Sequence, residues 1–455
     1  MAKIEKVDLT KIQANILKGH SRHHAAFLLI KFKETAIKKV KKQLSKLKVT
    51  SVEVQKEQSA EYKKSKKETL VLNFYLTIDG YKVLEIPEEE RPCFKTKEQA
   101  FATGMFNRGL GDPKVSNWES CYQEKTALHG MLSIASNNLG KIQKKIKKLE
   151  KKWDGVIEVL HIQWGQGLKN EQDEVIEHFG YRDGISQPIF EVVKSKEDLK
   201  KDKAQHLWSD LAPLDLVLVK ENGTDSYGSY LVFRKLEQNV EAFKNAEKDL
   251  AHELGLHGEA EEMVGAMMVG RFENGLPIVK MGSVSDAEAP SKDNNFNYSL
   301  DVEGKRCPFH SHIRKVNPRG DAVRLTGMKE TEEVKHRIVR RGIPYDEIGR
   351  NGDLGFHPTR GVGLLFLCFQ SSIENQFEFI QKTWANNNDF PVPFTGIDPV
   401  IGQGENRTNT KGEDAEQKWN GIDGCVHAAS LANFVRMKGG AYFFAPSLSF
   451  IQQLS

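Results

Sequence analysis

Three separated segments of the chain carry side chains that could do chemistry together. They are residues 180–184 around Asp183, the stretch around His312, and the twin arginines Arg340 and Arg341. An imidazole can ligate haem iron, a carboxylate can move a proton, and a guanidinium can stabilise negative charge as a peroxide is cleaved. Each segment alone is weak, because Gly-x-x-Asp-Gly is typical of a tight turn and twin arginines usually form surface ion pairs. The chemistry therefore depends on a fold that brings the three segments together.

Length and composition indicate a globular protein of about two domains. The chain has 455 residues, of which 39% are hydrophobic and 28% charged, and this length exceeds one ordinary core. It has no apolar run of about 18 residues, and its start lacks the pattern of a signal peptide. The five cysteines are scattered without a Cys-x-x-Cys pair, which fits a reducing compartment and argues against disulfides or structural zinc. We expect a cytoplasmic protein with no membrane partner.

Charge argues against nucleic acid as the main partner. The net charge is only +4, from 66 basic and 62 acidic residues, although lysines cluster locally in residues 38–42, 63–67 and 144–152. Each cluster lies on or beside a predicted helix, so we interpret it as a solvated helix face. A lysine-rich scaffold that binds polyanions is the non-enzymatic alternative.

A weak internal repeat predicts the fold. β-rich apolar runs at residues 26–32, 130–135, 228–234 and 363–369 each lead into a segment with helical spacing, at residues 36–47, 139–153, 240–254 and 373–384. This order predicts an α+β protein of two ferredoxin-like halves, each an antiparallel sheet with helices on one face. We place the halves at residues 1–212, with the Asp183 motif, and 213–455, with His312 and Arg340.

Other stretches complete the prediction. Further strands are expected at residues 70–76, 156–163 and 216–219. Two long stretches, 282–306 and 402–422, fit neither helix nor strand, and loops of that length are often functional or mobile. We expect each to form a pocket wall or a flexible excursion.

Two histidines compete as metal ligands. His310 and His312 are two residues apart and could share one side of an extended segment. A two-imidazole metal site is conceivable, but no third ligand of the His-Glu-x-x-His type follows. A single imidazole bound to haem iron needs no such cluster. Nearby Arg314 and Arg319 suit the two anionic propionates of haem, since arginine binds carboxylates in bidentate fashion.

Four motifs in order along the chain resemble those of the dye-decolourising peroxidases, in particular the longer members of that family. They are the opening Ile-Gln-Ala-Asn-Ile-Leu-Lys-Gly-His at 12–20, the Gly-x-x-Asp-Gly at 180–184, the His-Ile-Arg-Lys-x-Asn-Pro-Arg at 312–319 and the Arg-Arg-Gly-Ile-Pro-Tyr at 340–345. The resemblance implies a β-barrel-like core, haem b, and oxidation of organic electron donors by hydrogen peroxide. Homo-oligomerisation stays open, and iron release from porphyrin or haem carriage is the alternative function.

The resemblance also assigns roles to positions of this chain. It implies His312 as the proximal iron ligand, Asp183 as the distal acid/base, and Arg340 as the distal arginine. Gly184 would lie against the cofactor, because glycine lets the backbone approach a planar ligand closely. His310 remains a rival ligand.

Two further roles follow from the same resemblance, and a third is a prediction from the narrowness of the distal pocket, which bulky dyes cannot enter. Leu364 and Phe366 would line the distal pocket, although a register slip of one residue would give that place to Leu365 and Leu367. Asp398 would accept the proximal histidine N–H, with Glu378 as the competing choice. Trp384 and Tyr345 are the predicted surface residues for electron transfer from bulky dyes.

Overall fold

The computed structural model describes residues 4, 6–106, 108–222, 225–280, 293–350, 352–403, 416–420, 426–429 and 431–455. Of the two long stretches predicted as pocket walls or excursions, residues 282–292 of the first and residues 404–415 and 421–422 of the second therefore lie outside the described residues. Among the described helices, none is long and apolar enough to cross a bilayer.

An antiparallel sheet forms the centre of the molecule. Its strands follow the order β10-β11-β8-β14-β2-β3-β1-β4, with β7 paired to β8 and β9 to β11. Strands β2 and β3 are buried at every residue, as expected for a sheet covered on both faces. The strands are β1 His24–Phe32, β2 Val71–Leu76, β3 Gly130–Ser136, β4 Ile157–Gln166, β5 Leu168–Lys169, β6 Val175–Ile176, β7 Val219–Lys220, β8 Tyr227–Gln238, β9 Val339–Arg340, β10 Ile343–Asp346, β11 Val362–Gln370, β12 Lys418–Asn420, β13 Val426–Ala428 and β14 Val435–Ala445.

The sheet consists of two equivalent four-stranded units. The order β2-β3-β1-β4 in the N-terminal half matches β10-β11-β8-β14 in the C-terminal half, and both are the ferredoxin-like order. The units join where Phe444 of β14 pairs with Leu76 of β2, and the outer strands β4 and β10 contact each other. The predicted α+β fold with a barrel-like core is confirmed, whereas the boundary between residues 212 and 213 stays a prediction.

Amphipathic helices cover the sheet. In α6 the residues Ile142, Ile146, Leu149 and Trp153 are buried, a spacing that places them on one face. The helices are α1 Ile37–Ser45, α2 Val52–Ser65, α3 Ile78–Val83, α4 Pro92–Thr96, α5 Gln99–Thr103, α6 Leu139–Trp153, α7 Lys196–Lys203, α8 Val240–Glu253, α9 Glu262–Val269, α10 His312–Val316, α11 Asp321–Thr326, α12 Glu330–Glu333 and α13 Leu448–Gln453.

The segment predicted as a helix at residues 373–384 is helical, but its turns are wider than α. It forms two π-helical segments, Ile373–Glu378 and Ile380–Ala385. π-turns are rare and frequently occur at functional sites. These turns place Phe377, Ile380 and Gln381 on the wall of a large cavity.

Two local predictions were wrong. Residues 216–219 are not a continuous strand, because Leu214–Leu216 is a 3-10 turn and only Val219–Lys220 pairs as β7. His312 does not lie in an extended segment, because it begins the short helix α10. Pro318 ends that helix, since the residue before a proline avoids the α conformation.

Candidate active site

One large cavity collects the three chemical segments. Asp183, His312 and Arg340 all line it, and its free volume is about 1750 Å³ including the open mouth. Much of the wall is apolar or aromatic, with side chains from β8, β11, α10 and the π-helical segments. The fold thus brings together residues that are far apart in the sequence.

The loop around Asp183 owes its shape to two glycines. Gly180 and Gly184 have φ of +104° and +80°, which L side chains rarely adopt. A Cβ at Gly180 would also lie 2.8 Å from a carboxylate oxygen of Glu273. Asp183 Oδ1 accepts hydrogen bonds from Gly184 N and from Arg340 Nη1, both at 2.6 Å. Gly184 lines the cavity, so the loop presents both its backbone and its carboxylate there.

The twin arginines bind different parts of the protein. Arg340 ends β9, and its Nη2 donates to Ser186 O at 3.2 Å. Arg341 instead donates from Nε to Asn15 O at 2.7 Å and from Nη2 to Ile16 O at 3.1 Å. The two side chains therefore have different roles: Arg341 ties the segment to the N-terminal motif, and Arg340 pairs with Asp183.

The same N-terminal motif also binds the sheet. Gln13 Nε2 donates to Phe74 O at 2.7 Å and to Pro446 O at 2.8 Å, and Phe74 N donates back to Gln13 Oε1 at 2.9 Å. Gln13 is fully buried where β2 meets the end of β14. The motif at residues 12–20 is therefore a structural element that joins the two halves and positions the arginine segment.

His312 is oriented by a buried carboxylate. Its Nδ1 lies 2.7 Å from Asp398 Oδ2, and the Asp398 side chain is 0% exposed. Asp398 Oδ1 accepts from Val400 N at 2.8 Å and Ile401 N at 2.9 Å. Because an ionised carboxylate only accepts, Nδ1 donates, and Nε2 is the nitrogen left for a ligand.

The competing carboxylate and the rival histidine both have other partners. Glu378 accepts from Arg108 Nε at 2.7 Å and from the Tyr442 hydroxyl at 2.8 Å. His310 is 2% exposed and lies edge-on to the Trp419 ring at 4.3 Å. Burial lowers the pKa of His310 to about 3, and His310 lies outside the cavity lining. The geometry favours His312 with Asp398 over both alternatives.

Strand β11 presents alternate side chains to the cavity and the core. Leu364 and Phe366 line the cavity, whereas Leu365 and Leu367 are 0% and 1% exposed in the core. Pairing of Leu365 with Ile343 of β10 sets this register. The structure thus places the predicted pair, not the slipped pair, on the cavity wall.

Arg314 and Arg319 differ in how fully their donors are used. Arg314 is 0% exposed, and it donates to Asp321 Oδ2 at 2.6 Å, Asp301 Oδ2 at 3.0 Å and Cys307 O at 2.5 Å. These contacts give Arg314 a structural role and do not favour a propionate there.

Arg319 retains an unused donor close to the cavity. Its Nη2 donates at 3.1 Å to the hydroxyl of Ser186, which lines the cavity. Its Nε is buried and has no hydrogen-bond partner among the described residues. Such an orphan donor is costly unless a ligand satisfies it.

Sequence reasoning missed several charged residues of the wall. Glu177 lines the cavity, and burial raises its pKa to about 7 although Phe179 N and Tyr181 N donate to it. No spacing in the sequence indicated Glu177. Arg234 was visible in principle, since it is a charge within the apolar run of β8. Further lining arginines are Arg182, Arg271 and Arg337.

The predicted electron-transfer residues are buried. Trp384 is 2% exposed, stacked on Phe390, and Tyr345 is 1% exposed under Lys235. Neither can be a surface residue that touches a bulky dye directly, so the surface part of that prediction is wrong. The reason is that the π-helical segment packs Trp384 inward, while β10 turns Tyr345 toward the core.

The wall fits a haem better than a bare metal ion. No group of three or more His, Cys, Asp or Glu side chains in the described residues could hold a metal ion. One imidazole with a free Nε2 and a wide, largely apolar cavity instead suit haem, and the unsatisfied Nε of Arg319 lies just behind the lining residue Ser186.

Fold and site together define an α+β barrel protein whose cavity joins an imidazole to an acid–arginine pair. Comparison with known proteins agrees. A family model described as the DyP dimeric alpha+beta barrel domain matches residues 11–166, and one described as Dyp-type peroxidase, C-terminal, matches residues 201–391. The chain belongs to the DyP-type peroxidases, a family of haem peroxidases.

Individual relatives match over nearly the full length. The multifunctional dye peroxidase DyP2 of Amycolatopsis sp. is 38% identical, over 98% of this chain and 96% of that protein. The dye-decolorizing peroxidase msp1 of Mycetinis scorodonius is 29% identical, over 98% and 87%. The crystal structure of a DyP-type peroxidase from Anabaena sp. superposes with a TM-score of 0.86 at 37% identity, covering 98% of this chain and 94% of that one.

Proposed function

We propose that this protein binds haem b and reduces hydrogen peroxide while oxidising dyes, phenols and similar organic donors. The observation that carries the proposal is the placement of two acid-containing pairs on one cavity, His312 with Asp398 and Asp183 with Arg340. Overall, one peroxide takes two protons and two electrons from two donor molecules and gives two waters.

The proximal side would hold the cofactor. His312 Nε2 is the proposed iron ligand, and the Asp398 hydrogen bond at Nδ1 fixes the ring and makes the imidazole a stronger donor. Arg319 Nε is the proposed contact to a propionate. When bound, haem supplies the redox-active iron at which the peroxide O–O bond is cleaved.

The distal side would move the proton. The Asp183 carboxylate takes the proton from one peroxide oxygen and returns it to the other, so that this second oxygen leaves as water. Arg340 stabilises the negative charge that develops as the O–O bond lengthens. Leu364 and Phe366 restrict this side to small molecules, so peroxide enters and bulky donors do not.

Bulky donors would then give their electrons at the surface of the protein. Trp384 and Tyr345 can act only as buried relays. Trp208 is partly exposed, and the guanidinium carbon of Arg337 lies 5.8 Å from the centroid of its ring. Arg337 in turn lines the cavity. We propose Trp208 as the contact for bulky dyes. Trp208→Phe should lower the turnover of bulky dyes and leave the turnover of small donors unchanged. The control is Trp164→Phe, at a tryptophan that is 38% exposed, and it should lower neither rate.

The absorption spectrum of the purified protein, before and after peroxide, tests the proposed function. We expect a haem Soret band, a spectral change with peroxide and catalytic dye oxidation with an acidic optimum. The optimum follows because the proposed base is a carboxylate, a class of group that ionises at lower pH than an imidazole. A Soret band without peroxide turnover would indicate a haem carrier, and activity confined above neutrality would contradict Asp183 as the base.

A further inference from the structure

The N-terminal half carries a strongly positive surface that the peroxidase site does not use. Residues 37–48 and 139–153, which contain α1 and α6, hold thirteen lysines and one glutamate, whereas the whole chain has a net charge of +4. None of these lysines forms an ion pair with any described residue. The positive charge of this surface is therefore not neutralised within the described protein.

The two lysine-rich helices meet at a pocket. Lys46, at the end of α1, and Lys145 and Lys152 of α6 surround it, and Leu149 and Trp153 form its floor. The free volume is about 620 Å³ including the open mouth. Lys145 is half-buried, and burial together with Lys152 and Lys148 lowers its pKa. Three lysines thus line one concave place, in addition to the exposed lysines elsewhere on the two helices.

The chemistry of this surface selects among anions. Lysine is a compact point charge that binds phosphate as a charge, without the bidentate geometry that arginine offers to phosphates and carboxylates alike. Lysines three and four residues apart lie about 5–6 Å from one another on a helix, so α6 presents a row of regularly spaced charges. Trp153 is 1% exposed and cannot stack on a base. These features fit a chain of phosphates and offer nothing that would recognise nucleobases.

We propose that the surface formed by α1 and α6, centred on Lys46, Lys145 and Lys152, binds linear inorganic polyphosphate. A thin phosphate chain can enter the pocket between the two helices and continue along the lysine row of α6, whereas a rigid nucleic-acid duplex is too broad to enter. We expect the affinity to fall as the salt concentration rises, because binding releases counterions and this release is less favourable at high salt. This site is independent of the haem cavity and of the proposed peroxidase mechanism.

Calorimetric titration of the full-length protein with long-chain polyphosphate tests the proposal. The triple variant Lys46→Gln, Lys145→Gln, Lys152→Gln should weaken binding about tenfold or more and flatten its salt dependence. The matched control is Lys196→Gln, Lys200→Gln, Lys201→Gln, which removes the same charge from exposed lysines of α7 and should weaken binding less than about threefold. Lys152→Gln alone, at an exposed position, should cost about two- to threefold and keeps the test valid if the triple variant unfolds.

Three results would overturn the proposal. The first is absence of polyphosphate binding at low salt. The second is an equal loss in both triple variants, which would show diffuse charge and no site. The third is equally tight binding of an oligothymidylate with a comparable number of phosphates, which would make the surface a nucleic-acid site.

Discussion

The two acid-containing pairs of the cavity differ in how firmly the protein holds the acid. The Asp398 side chain is 0% exposed and both of its oxygens accept protein hydrogen bonds, whereas the Asp183 side chain is 24% exposed. Their partners His312 and Arg340 are similar in exposure, at 25% and 33%. A group that fixes a ligand gains from rigidity, and a group that exchanges protons with an entering reactant needs access. The difference predicts that substitutions on the His312 side change the cofactor, while those on the Asp183 side change the rate.

The largest expected effect is at His312. His312→Ala should lose the Soret band and all peroxidase activity, because Nε2 of His312 is the imidazole nitrogen available in the cavity. His310→Ala is the control and should keep its haem. The measurement is the haem content of the two purified variants. A His312→Ala protein with a normal haem content would contradict His312 as the iron ligand.

The twin arginines should separate rate from stability. Arg340→Leu should lower kcat/KM for peroxide by about 10²–10³ with haem retained, because charge stabilisation is lost. Arg341→Leu removes hydrogen bonds to Asn15 and Ile16, so it should lower the melting temperature and leave the rate of the folded fraction nearly unchanged. Steady-state kinetics and melting curves of the two variants test these predictions. A slower Arg341→Leu enzyme together with a less stable Arg340→Leu protein would contradict the two roles.

Asp398→Asn should have an intermediate effect. Loss of the charged acceptor at His312 Nδ1 should shift the haem spectrum and lower activity about 10- to 100-fold. Glu378→Gln should leave the spectrum unchanged, because Glu378 bonds Arg108 and Tyr442. A spectral shift in Glu378→Gln alone would reassign the histidine partner.

The register of β11 predicts different effects on stability for a residue of the cavity wall and its neighbour in the core. Leu365→Ala should lower the free energy of unfolding by about 2–5 kcal/mol, because it leaves a cavity in the core. Leu364→Ala, on the cavity wall, should cost less than about half of that. Urea unfolding measures both, and equal losses would mean that both side chains are equally packed.

The sequence predicted most of the fold because the repeat of strand and helix is local. Apolar runs and helical spacing located β1, β3, β8 and β11 and the helices that follow them. Prediction was poorer where long-range contacts decide the structure. The burial of Trp384, the extra donor of Arg319 and the position of Glu177 depend on packing between distant segments, which periodicity does not report.

A further expected effect concerns the pH dependence of stability and a group outside the site. Burial raises the pKa of Glu221 from 4.5 to about 7, so the folded protein binds this proton more tightly than the unfolded chain. That contribution to stability is complete below about pH 4.5 and is lost as pH rises through about 7, at most about 3 kcal/mol. Wild type should therefore lose stability relative to Glu221→Gln between pH 5 and pH 8 in urea unfolding. A difference that does not vary with pH would contradict this.

The rate of the absorbance change after mixing with peroxide, measured in Asp183→Asn at known haem content, tests the central claim most directly. We expect a normal haem content and Soret band, with a peroxide reaction slowed about 10²–10⁴-fold because the acid/base is gone. An Asp183→Asn protein that lacks haem, or that reacts with peroxide as fast as wild type, would contradict the division of work between the two pairs.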